Sequence, residues 1–195
     1  MRRGGLKVAL DRVAPPGLSD RMRRYAWQWA WLLLFRPTPV PLHGWRCWLL
    51  RRFGATIGPR AHPYPTARIW APWNLTMEDG SCLGLASECY NVARVTLRRD
   101  AIVSQRAYLC TASHDIDAAD FALTAMPIEI GPGAWVAADA FIGPGVTLGA
   151  DAVAAARAVV IRDVPPRMVV AGNPAREVRE RLATRDPALD PATAP

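Results

Sequence analysis

Residues 109–115, Leu-Cys-Thr-Ala-Ser-His-Asp, end an apolar, small-residue run on a histidine followed by a carboxylate. Neutral imidazole titrates close enough to physiological pH to accept a proton from an attacking hydroxyl. His114 is therefore either a general base or a polar residue that fell at a corner. Only His43 and His62 join it in the chain, so what surrounds this one histidine decides. The four cysteines (Cys47, Cys82, Cys89, Cys110) have no C-x-x-C spacing and read as reduced, structural thiols.

The elements that must position His114 show in a repeat. From Ile130 the chain cuts every six residues without remainder: IGPGAW, VAADAF, IGPGVT, LGADAV, AAARAV, VIRDVP. First positions (Ile130, Val136, Ile142, Leu148, Ala154, Val160) and fifth positions (Ala134, Ala140, Val146, Ala152, Ala158, Val164) are all apolar. Chance agreement at all these places is on the order of one in ten thousand or rarer, so the period is real. It continues upstream in LRRDAI, VSQRAY and LCTASH (97–114), in MEDGSC, LGLASE and CYNVAR (77–94), and more weakly in 57–74, with two-residue slips between blocks. Only residues 115–129 break the rotation, and they read as an excursion loop.

A short strand followed by a tight bend makes one flat face, and three faces close a triangular coil whose neighbours pair as parallel strands. First-position aliphatics fill the prism, and small fifth-position residues fit inside its corners. Neither helical nor alternating-strand periodicity gives a strict six. On this template Leu109 and Ser113 face inward, and His114, at a sixth position, points outward at a corner. The excursion that follows can fold over a site beside it, as functional loops on rigid scaffolds do. Ser113 reads as a corner residue, with a nucleophile as the alternative.

The expected organisation is a Trp/Arg-rich helical extension over 1–56, the repeat over 57–166, and a C-terminal segment over 167–195 with a short helix and a disordered tail. A formal charge of +7 and a pI near 9.9 favour anionic partners without choosing among nucleic acid, phosphorylated ligands and an acidic membrane surface. Asp11 and Arg12 interrupt the first apolar run, so no signal peptide is expected. YAWQWAWLLLF (25–35) is too short to span a bilayer, which needs about 20 residues. Arginines flank it, and a second helix is expected over about 43–53. Two readings stand for residues 21–53: packing on the main domain or a neighbouring subunit, and peripheral membrane contact through tryptophans with Arg46, Arg51 and Arg52.

The chain resembles the hexapeptide-repeat acyltransferases, and within them the colanic acid biosynthesis O-acetyltransferases and their maltose and galactoside kin. SQRAYLCTASHD, PIEIGPGAWVAADAFIGPGVTLG, VPPRMVVAGNPAREVRER and LLRRFGATIG carry the resemblance. Ala112 stands where glycine is common, and Glu78, Arg98 and Ala155 replace frequent second-position glycines. The resemblance implies a mainly β fold, a left-handed parallel β-helix, and direct acetyl transfer from acetyl-CoA to a sugar hydroxyl. His114 would be the general base, with Asn91 or Glu88 as weaker candidates to orient it. Asp115 is adjacent in an extended segment and should lean the other way. Asp115, Asp117 and Phe121 in the excursion are candidates to touch the acceptor.

The same mapping places Ala138, Ala156, Ile161, Arg162, Arg176 and Arg179 along a CoA groove, with Trp135 beside it or at a subunit contact. The arginines can hold phosphate by charge-assisted hydrogen bonds. No metal and no nucleic acid are implied. A homotrimer is, with sites between neighbouring prisms, in the cytoplasm and at the inner face of its membrane if the N-terminal segment binds there. A metal lyase on the same fold would need more histidines near His114. A chemistry-free β-helix, or an acetyltransferase of small hydroxylated xenobiotics, remains the alternative.

Overall fold

In the computed structural model, which describes residues 12–13 and 17–182, strands of two to four residues alternate with tight bends and wind into a three-faced parallel β-helix of about six turns. The first face stacks Thr56–Ile57, Leu75–Met77, Val95–Leu97, Ile128–Ile130 and Thr147–Leu148. The second stacks His62–Pro63, Cys82–Leu83, Ile102–Val103, Trp135–Val136, Val153–Ala154 and Met168–Ala171. The third stacks Arg68–Ile69, Glu88–Tyr90, Tyr108–Cys110, Phe141–Ile142 and Val159–Val160. The N-terminal run in which no signal peptide is expected and the tail expected to be disordered lie, for the most part, outside the described residues.

The hexad explains the core. From Ile130 to Val164 no first- or fifth-position side chain is more than 4% exposed, and burying each Ile, Leu or Val there contributes about 1.5–3 kcal/mol. The corners turn through left-handed residues. Gly133 and Gly145 supply two of these without cost, and Asp100, Arg106, Asp139, Asp151 and Arg157 adopt φ of 56–60° at others. The charged replacements of second-position glycine are put to use: Arg98 donates to Glu78 at 2.9 Å and to both oxygens of Glu129 at 2.9 and 3.0 Å, tying three rungs together.

Coil length is not uniform. Thr56, Thr76, Thr96, Glu129 and Thr147 share one column, so successive coils take 20, 20, 33 and 18 residues. The two extra residues of the early coils widen the corner between the third and first faces, and a side-chain ladder fills it. Asn91 accepts from the Ala71 N–H at 2.9 Å and donates to the Ala71 carbonyl at 2.7 Å. Asn74 donates to the carbonyls of Asn91 and Val92, and Thr111 donates to that of Tyr90 while accepting from Ala93.

The 33-residue coil leaves the prism at this corner. Ala112–His114 pairs antiparallel with Leu123–Ala125, so the excursion begins at Ala112 and Ser113 is exposed, not inward as the hexad predicts. Arg12 bridges to Thr124 beside this hairpin, and the Val13 N–H donates to Leu123.

Helix α1 (Leu18–Ala30), a π-helical turn (Trp31–Phe35) and helix α2 (His43–Arg52) close the N-terminal end. Trp27 and Phe35 are buried, and the indoles of Trp27 and Trp31 donate to the carbonyls of Ile69 and Ala67. Arg46, grouped with the membrane-facing arginines by the sequence, is wholly buried instead. It donates to the carbonyls of Pro63, Pro39 and Val40, to the Thr38 hydroxyl and to the His43 imidazole. Arg51 stays exposed but donates to the carbonyls of Ile57 and Gly58 at the end of the prism.

The expected C-terminal helix is absent among the described residues: Arg176–Glu180 is a strand pairing back on Met168–Ala171. Charged composition suits a helix, but the last strand of the second face leaves a row of unpaired backbone groups, and a hairpin satisfies them.

Candidate active site

His114 ends the first strand of the hairpin, exposed, with its Nδ1 2.9 Å from the carbonyl oxygen of Phe121. A carbonyl only accepts, so this bond requires the proton on Nδ1 and leaves the lone pair of a neutral ring on Nε2. The Phe121 ring stacks on the imidazole, centroids 4.4 Å apart and planes 9° from parallel. Backbone and ring of one residue thus fix the tautomer and the orientation. The sequence named Phe121 as an acceptor contact, and the chain places it on the histidine.

The other candidates fall elsewhere. Asn91 is buried with its amide engaged by Ala71, and Glu88 lies on the outer third face; neither bonds to His114. Asp115 accepts from the Asp117 N–H within its own turn, and its N–H donates to the Ala122 carbonyl. Asp117 is exposed. Neither carboxylate bonds to the imidazole.

The candidate donor contacts divide between the two edges of the third face. Ile161 and Arg162 occupy its corner with the first face, the same corner from which the histidine hairpin departs. With Arg176 and Val164 they line an open depression of about 400 Å³. Ala138 and Ala156 sit on the opposite edge, where the Arg157 N–H donates to the Ala138 carbonyl. Trp135 is on the outer second face, its indole donating to the Ser104 hydroxyl at 2.8 Å. Arg179 is exposed on the terminal hairpin.

A groove of about 250 Å³, which the sequence reading missed, runs between α1 and the outer third face. Trp31, Trp70, Tyr90 and Tyr108 wall it, and Arg68 and Glu88 face into it. Burial, with Cys110 and Glu88 adding to it, holds the Tyr108 hydroxyl above its ordinary pKa, so it stays a neutral donor. The signal was present. Arg68, Glu88 and Tyr108 stack in one column, visible only once the coil is known to be 20 residues long. The thiols are free, and burial pushes Cys82 up to about 11 and Cys89 higher, which suits packing and not nucleophilic attack. Among the described residues no cluster could hold a metal ion.

The parallel β-helix of hexads is the fold of solved hexapeptide-repeat acetyltransferases. A maltose O-acetyltransferase from Clostridium difficile 630 superposes with a TM-score of 0.74 at 23% identity, covering 82% of this chain and 87% of that one. A galactoside acetyltransferase solved with coenzyme A gives 0.75 at 22%, covering 89% and 88%. A hexapeptide-repeat acetyltransferase from Vibrio cholerae O1 biovar eltor, solved with acetyl-CoA, gives 0.76 at 23%, covering 89% and 94%. No family model matches the chain. In sequence it is 39% identical over 151 residues to WcaF of Escherichia coli (strain K12), provisionally named a colanic acid biosynthesis acetyltransferase, covering 77% of this chain and 83% of WcaF. The chain belongs to the acetyltransferase family that includes WcaF, and is an acyltransferase.

Proposed function

We propose that this enzyme transfers acetyl from acetyl-CoA to a sugar hydroxyl in exopolysaccharide assembly, with His114 as general base. The observation that carries the reading is the bond from His114 Nδ1 to the Phe121 carbonyl, which leaves Nε2 basic and outward. Nε2 takes the hydroxyl proton as the oxygen attacks the thioester carbonyl. The tetrahedral intermediate collapses with loss of the CoA thiolate, and the imidazolium returns the proton to that sulfur. No covalent acyl-enzyme is needed.

Ile161, Arg162 and Arg176 suit the donor, with an apolar wall for the pantetheine arm and guanidinium groups for its phosphates. Ala138 and Ala156 lie about 15 Å away across the third face, at 3.3 Å per residue, so an arm lying along one edge does not touch the other. Two copies side by side would bring unlike edges together, which favours the homotrimer with sites between subunits. Residues of the excursion would then touch an acceptor held between prisms.

The aromatic groove favours a saccharide acceptor: ring faces stack on Trp and Tyr, and Glu88 and Arg68 offer hydrogen bonds to hydroxyls. The donor is a cytoplasmic metabolite, which favours that compartment for the reaction. Labelled acetyl-CoA incubated with nucleotide sugars, lipid-linked oligosaccharides and hydroxylated antibiotics tests the reading. Label in a saccharide is expected, and label in the antibiotics alone would refute it.

A further inference from the structure

We propose that the outer face of the N-terminal helices docks on an anionic lipid surface. Of the nineteen large apolar side chains exposed among the described residues, eleven lie between Leu18 and Trp48. Leu18, Met22, Tyr25, Trp29 and Leu32 follow one another at helical spacing along α1 and into the π-helical turn. The patch widens where α2 packs on that turn. Trp45 donates to the Leu34 carbonyl and stacks on Trp48, centroids 4.9 Å apart, and the Arg52 guanidinium sits 5.4 Å from the Trp48 ring. Trp27 and Trp31 tie the other side of the same helical layer to the prism, so the exposed side is held on a rigid support.

Charge selects the occupant. Residues 17–53 contain seven arginines and one aspartate, so they carry nearly all of the chain's net charge of +7. Arg46 is buried, but Arg21, Arg36 and Arg52 are exposed around the apolar stripe. A second copy packed face to face here would set two cationic surfaces against each other, whereas an anionic leaflet attracts the arginines and takes up the tryptophans at its interface. Among the described residues no helix is long and apolar enough to cross a membrane, so this contact is lateral.

Vesicle co-sedimentation tests the proposal, using phosphatidylcholine alone and with about 30% phosphatidylglycerol. The protein should sediment with the anionic vesicles at about 0.05 M salt and lose at least about tenfold in binding at about 0.5 M. The pair Trp29→Ser and Leu33→Ser, and separately Arg36→Glu and Arg52→Glu, should each weaken binding about tenfold or more, with melting temperature and light-scattering mass unchanged. Absence of binding at low salt, or equal binding to both vesicles, would overturn the proposal. So would a fall in mass of the Trp29/Leu33 variant, which would assign the patch to a second copy. If either variant misfolds, the salt and lipid dependence of the unaltered protein still decides.

Discussion

The two halves of the prism share a template and differ in coil length. Above Ile128 the coils take 18 residues, their interior is Ile, Val, Leu and Ala, and the corners hold little but backbone. Below it the coils take 20, the interior admits Ser81 and Ser87, whose hydroxyls donate to Glu78 and Gly84, and a polar ladder fills one corner. The groove walls Trp70, Tyr90 and Tyr108 and the histidine hairpin belong to the longer coils. Regular repetition makes straight edges on which an extended donor can lie, and two additional residues per coil make a place where chemistry can be held.

The contrast can be broken at the hairpin first. His114→Ala should leave melting unchanged and lower acetyl-transfer kcat at least about a hundredfold, the scale of a lost general base. Unaltered turnover would remove His114 from the mechanism.

Asn91→Ala tests the corner. It leaves the Ala71 N–H unpaired, while the Ala71 carbonyl keeps its bond from the Asn74 N–H; the loss costs about 1–3 kcal/mol and lowers the melting point by about 3–10 °C. Below the melt kcat should stay within a few fold, because Asn91 does not touch the imidazole. A hundredfold loss in a folded Asn91→Ala protein would restore it to the catalytic machinery.

In the regular half, Arg162→Ala combined with Arg176→Ala should raise KM for acetyl-CoA about tenfold with little change in kcat, as expected when ground-state phosphate contacts are removed. The smallest effect belongs to the Arg106–Asp139 pair that joins the halves at 2.7 Å. The hydrogen bond from Arg106 holds the Asp139 carboxyl below the usual carboxylate range. A lowered folded pKa stabilises above the unfolded value of about 3.9 and is lost as pH falls through the folded one. Arg106→Ala should therefore depress the melting point slightly at neutral pH and not at all below that window; both groups are exposed, so the difference is small.

Much of this was legible in the chain because six-residue spacing is a direct image of the cross-section. The alignment of Ile130 to Val164 with the interior holds at every first and fifth position. The template misplaced Ser113, since nothing local to LCTASH shows that the coil ends at Thr111; antiparallel pairing with residues 123–125 takes over. Arg46 misled for a related reason. An arginine between tryptophans looks like a surface charge until the carbonyls of a Pro-rich turn are found wrapped round it. At the candidate site, the outward position of His114 could be read from the chain, but the group that orients its ring is a main-chain oxygen, which no residue type announces.

The 15-residue surplus of the third coil is inserted without cost to the ladder around it: Thr96 pairs with Glu129 as it would with the next rung of an uninterrupted solenoid. The insertion therefore behaves as a cassette. Its length and sequence can drift while the stacked rungs keep their neighbours, so the surroundings of His114 can be retuned without renegotiating the stability of the scaffold.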